Sequence, residues 1–120
     1  MKRLLTMAFV LATGAAMADA PTVEDVVARA SGDGTWRFDV TIRHPDTGWE
    51  HYADGWEVLD ADGNRLGFRE LAHPHVNEQP FTRSLHGVAI PDEITQVFIR
   101  SRCNVDGWSE ALTAVDLSAD

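Results

Sequence analysis

The chain has 120 residues, 44% of them hydrophobic, with 10 Lys and Arg against 19 Asp and Glu and a formal net charge of −9 at pH 7. That balance argues against nucleic acid and anionic lipid as partners, because phosphate binding draws on a basic face. The length suits one domain with a single modest core, and one cysteine, Cys103, excludes an internal disulfide.

Met1-Lys2-Arg3 is followed by an apolar run from Leu4 to Ala18 that ends in small residues, the pattern of a secretory signal peptide. The run is shorter than the ~20 residues a membrane span requires. Ala16-Met17-Ala18 fits the small-residue rule for cleavage, so residues 1–18 are predicted to be removed and residues 19–120 to form one domain. No Cys lies near that cut to carry an acyl anchor. The expected product is periplasmic or secreted, with no membrane insertion. It keeps eight of the Lys and Arg residues, because Lys2 and Arg3 fall in the leader.

Beyond the leader the chain alternates and turns. Trp36, Phe38, Val40 and Ile42 alternate with Arg37, Asp39, Thr41 and Arg43, the period of a half-buried strand. Turn-forming clusters recur at Ser31-Gly32-Asp33-Gly34, Pro45-Asp46-Thr47-Gly48, Asp60 to Asn64, Gly87, Pro91-Asp92 and Asn104 to Gly107. Between them, strands are predicted near residues 23–30, 35–43, 52–60, 65–71, 82–90, 95–103 and 109–117. No segment carries an apolar stripe at helical spacing for three turns. The expected fold is all-β, an immunoglobulin/fibronectin III-like antiparallel sandwich of about seven strands. In that layout Trp56 is the third-strand core tryptophan, and Cys103 ends the sixth strand facing inward with Val97, Ile99 and Ser101. With no Cys on the second strand to pair with it, Cys103 is expected to be a small core residue.

The densest chemistry lies in His73-Pro74-His75-Val76-Asn77-Glu78-Gln79-Pro80-Phe81-Thr82-Arg83-Ser84. Pro74 pushes His73 towards an extended conformation, in which His73 and His75 point the same way. Imidazoles so placed suit copper, or less well zinc, with His51 or His44 as a third ligand. The bland alternative is an ordered crossover between the sheets. Three tryptophans, Trp49, Trp56 and Trp108, follow Gly at turns. Trp49 and Trp108 are expected near strand ends, as core plugs or as stacking platforms.

Several activities do not fit. Neither His nor Met follows Cys103, so a cupredoxin's ligand run is missing, and no His-Glu-x-x-His zinc-protease helix occurs. Ser84 and His86 form the one local pair suited to hydrolysis, without a Gly-x-Ser-x-Gly elbow. A non-enzymatic protein is expected.

With Gly67 to Leu85 and the upstream His51-Tyr52-Ala53-Asp54-Gly55-Trp56, the chain resembles small exported proteins of Gram-negative bacteria that have no assigned activity. The resemblance implies a secreted single-domain β protein and carries over no catalytic residue. The expected function is a binding or interaction module for an unidentified protein or small ligand of the cell envelope. Its expected working surface comprises His73, His75, Glu78, Arg83, Trp49 and Trp108. The alternative is a periplasmic copper or zinc protein using His73, His75, His51 and His44.

Overall fold

The period-two pattern that marks residues 35–43 becomes β2 (Thr35–Arg43), whose Phe38, Val40 and Ile42 are buried while Trp36 is half-buried. These come from the computed structural model, which describes residues 20–118; the leader expected over residues 1–18 lies outside the described residues. Each full burial of such a side chain contributes roughly 1.5–3 kcal/mol.

β2 pairs antiparallel with β1 (Thr22–Ala30) on one side and β5 (Phe81–Ala89) on the other, giving a three-stranded sheet in the order β1-β2-β5. The second sheet runs β4 (Arg65–Glu70), β3 (Ala53–Leu59), β6 (Gln96–Cys103). Beyond β6 lie β7 (Gly107–Trp108) and β8 (Thr113–Asp116), both paired with β6. Every pairing is antiparallel. The result is the all-β, fibronectin III-like layout expected from the turn spacing, with no helix among the described residues. None of those residues forms a helix long and apolar enough to cross a membrane.

The core lies between the sheets. Phe38, Val40, Ile42, Phe81 and Val88 from one sheet meet Trp56, Val58, Val97, Ile99 and Val115 from the other. Trp56 is fully buried on β3, as the layout requires. On the outer face of the second sheet, Glu57 is also buried, because Arg65 and Arg100 fold over it with ion pairs of 2.9 and 2.7 Å.

One expected strand differs. The segment foreseen as continuous over 109–117 is broken: Trp108 pairs with Arg102, whereas Thr113 pairs with Ile99. Those two pairs are out of register, and Glu110, Ala111 and Leu112 between them are exposed. The Ser109 hydroxyl takes the Ala111 N–H at 3.1 Å, which replaces a ladder bond locally and lets the chain leave the sheet.

Candidate metal centre

The fold gathers three ligand-bearing residues at one end of the sandwich. His44 is the first residue past β2, His51 lies just before β3, and Cys103 is the last residue of β6. Ala53 pairs with Cys103 across the β3–β6 ladder, so the β2–β3 connection and the β6–β7 turn share that end. Asn104 locks them together: its backbone N–H donates to Tyr52 O at 3.1 Å, its side-chain oxygen accepts from Tyr52 N–H at 2.9 Å, and its Nδ2 donates to Trp49 O at 3.1 Å.

Ligand atoms of His44, His51 and Cys103 lie within 4.8 Å of one another. The two imidazoles meet edge to face at 4.8 Å between centroids, and His51 Nε2 is 3.6 Å from Cys103 Sγ. His44 is 1% exposed, and its Nδ1 donates to Asp46 Oδ1 at 2.6 Å. A carboxylate acceptor places the proton on Nδ1 and leaves the lone pair on Nε2. That Nε2 is buried and has no hydrogen-bond partner. A carboxylate holding the far nitrogen of an imidazole is the arrangement that orients metal-ligating histidines and raises their basicity. Two borderline nitrogens and a soft sulfur form a donor set suited to zinc, copper or iron.

Burial pushes the Cys103 thiol up from its ordinary range, and the adjacent Asp106 carboxylate adds to this. Backbone N–H groups of Asp106 and Val105 work the other way. A metal bound here therefore displaces the thiol proton.

The chain is 38% identical over 94 residues to a protein of Halomicrobium mukohataei named as a candidate lipoprotein. The match takes in 78% of this chain and 46% of that relative, so the chain spans less than half the length of the curated relative it matches. No protein-family model matches the chain, and neither does any solved structure.

The His73 to Arg83 segment runs from the end of β4 into β5 and packs beside this centre. His75 is buried, its ring stacked on Phe81 at 3.8 Å and its Nε2 taken by Arg83 Nη2 at 2.7 Å. The His75 backbone N–H donates to Asp46 Oδ2 at 2.8 Å. Gln79 bridges the two segments, accepting from His44 N–H at 3.0 Å and donating to His75 O at 2.8 Å. The block thus clamps the residues that hold His44, which is the ordered-crossover alternative. His73 is exposed, 4.7 Å from the His75 ring, and Glu78 lies 3.7 Å from Arg83. Neither His73 nor His75 joins the His44–His51–Cys103 group.

Among the other residues singled out in the sequence, Trp49 is 65% exposed beside Tyr52. Trp108 is half-buried against Phe68, with Arg65, Arg100 and Arg102 around its ring. Ser84 donates to Asp39 at 2.6 Å on the outer face of β5, and His86 is exposed. Cys103 is buried as expected but stands among metal-ligand types, a role absent from the sequence reading. The signal that could have found it is the register of β3 against β6, which no local pattern encodes.

Asp46 is the pivot of this end, accepting from His44 Nδ1, from Ala53 N–H at 3.0 Å and from His75 N–H. Asp46→Asn puts an amide N–H₂ against one of these donors. It is expected to weaken the binding of any ion placed at this centre about 10–100-fold and to cost about 1–3 kcal/mol of stability. Chelator competition measures the first and urea unfolding the second.

His75 gives the fold a pH dependence. Burial lowers its pKa from the ordinary 6.5, and the neighbouring Arg83 lowers it further. The unfolded chain takes up this proton at a higher pH than the folded one, so stability is intact above about 6.5 and falls as pH drops through the folded value. His75→Gln is expected to flatten that part of a plot of unfolding free energy against pH. An unchanged slope between pH 7 and 5 would count against it.

Proposed function

We propose that this protein is an exported metal-binding protein of the cell envelope in which His44, His51 and Cys103 hold a divalent transition ion. The observation that carries this reading is the convergence of two imidazoles and a thiol within 4.8 Å, with one buried imidazole nitrogen unpartnered and its opposite nitrogen fixed by Asp46. Export is supported by the leader pattern of residues 1–18 and by the name of the relative. Zinc and copper fit the donors best, and ferrous iron shares the preference for imidazole.

The test is titration of metal-free protein with Zn(II), Cu(II) and Fe(II) against a competing chelator. One equivalent of at least one ion is expected to bind tightly at neutral pH. His44→Ala/His51→Ala should lose that binding, while His73→Ala keeps it. Equal binding by the double variant, or tight binding lost only in His73→Ala, would overturn the assignment.

The exposed residues Trp49 and Val105, at 65% and 59%, sit on the two loops that frame the centre. They favour a second, compatible reading in which an envelope partner docks at this end. Val76, exposed on the crossover, and Leu112, exposed beyond β7, lie outside those loops.

A further inference from the structure

β1 is a margin of the three-stranded sheet: β2 pairs with one side of it, and among the described residues no strand pairs with the other. None of its residues is buried. Its free side is separated from β8 by a groove of about 370 Å³, lined by residues 23–26, Ala28 and residues 113–116.

An edge strand offers unpaired N–H and C=O groups to any extended segment, and proteins usually blunt such edges with Lys, Pro, a bulge or an inward-facing charge. β1 has neither Lys nor Pro. Its bulge falls at Glu24, whose carboxylate is held by Arg43 at 2.6 Å, and the register against β2 is unbroken from Asp25 to Ala30. Residues directly opposite in a ladder share a face. Val26 and Ala28 oppose the buried Val40 and Phe38, so they point inward, where they pack half-buried against the core. Asp25, Val27 and Arg29 oppose Thr41, Asp39 and Arg37 and point outward. Neither Asp25 nor Arg29 enters a salt bridge among the described residues, and Arg29 stands opposite a like charge whose own acid is Asp39 at 2.9 Å.

The segment Asp25-Val26-Val27-Ala28-Arg29 is complementary to itself run in reverse. A two-fold axis perpendicular to the sheet makes two copies of a strand antiparallel and keeps each face on its own side. With Val27 on that axis, Asp25 of each copy meets Arg29 of the other on the outer face, and Val26 meets Ala28 on the inner face. Centring the axis on Val26 would set Asp25 against Val27, and centring it on Ala28 would set Arg29 against Val27. Of these registers only the middle one pairs the charges.

We infer that the protein associates with a second copy of itself through antiparallel β1–β1 pairing centred on Val27, which joins the two three-stranded sheets into one continuous sheet. The inference is independent of the metal centre. So short a ladder belongs with the transient interfaces that bury less than about 1,200 Å², and its dissociation constant is expected between roughly 1 μM and 1 mM.

Sedimentation equilibrium across that concentration range tests it, with chelator in every sample so that the outcome is separate from metal binding. The wild type should pass from monomer to dimer. Asp25→Arg alone and Arg29→Asp alone each set like charges opposite one another at both ends of the pair, and each should weaken association at least about tenfold. The double variant Asp25→Arg/Arg29→Asp should regain the wild-type dimer. An equimolar mixture of the two single variants should form mixed dimers, because opposite charges then meet at both ends. Asp25 and Arg29 are exposed, so all variants are expected to keep the wild-type circular dichroism spectrum. Single variants that associate as tightly as the wild type would overturn the β1 pairing. A wild type that stays monomeric to about 1 mM would overturn the second copy as occupant and leave the edge to a segment of another protein.

Discussion

Cys103→Ser is expected to lower zinc affinity by more than about 100-fold, beyond the 10–100-fold typical of losing a supporting partner, while the domain remains folded. The serine hydroxyl is not ionised at neutral pH and offers zinc a poor oxygen in place of a thiolate. Cys103 is fully buried, yet it stands at the end of β6, where the Asp106 N–H is available to the new oxygen. The loss to the metal-free fold should be on the order of 1 kcal/mol. The contrast appears in thermal unfolding. Zinc at 100 times its dissociation constant stabilises the wild type by about 2.7 kcal/mol, which for a domain of this size raises Tm by roughly 10–20 °C. The variant's Tm should not move at the same zinc concentration.

Trp56→Ala is expected to cost about 3–5 kcal/mol, a large part of the 5–15 kcal/mol typical of a domain. Trp56 is 0% exposed at the middle of β3, with Arg69 opposite it on β4 and Ser101 on β6. The surrounding backbone is fixed by ladders on both sides and cannot collapse into the space. Its indole N–H is buried without a partner, so removing it also removes a small penalty, and the effect belongs to the lower half of that range. The urea midpoint should fall without a change in m.

Strand positions were legible because period-two burial and turn chemistry act locally. β2 was foreseen as residues 35–43 and is Thr35–Arg43; β4 and β6 differ by a residue or so at their ends. The break between β7 and β8 was not legible, since it follows from a register shift against β6 and a local Ser109 bond. The candidate site was half legible. His44 and His51 stood out only as candidate third ligands beside His73 and His75, whereas their rings lie 4.8 Å from each other. The His-Pro-His block drew attention by its composition. Its imidazoles face Phe81, Arg83 and each other, and its backbone serves Asp46. Cys103 looked apolar because half of its surroundings are core; the other half, His51 and Asp106, arrive through tertiary pairing and a tight turn.

X-ray absorption at the zinc edge of the loaded protein tests the central claim most directly. The account predicts one sulfur scatterer near 2.3 Å and imidazole nitrogens near 2.0–2.1 Å, with the sulfur shell disappearing in Cys103→Ser. A shell of nitrogen and oxygen alone in the wild type would contradict it.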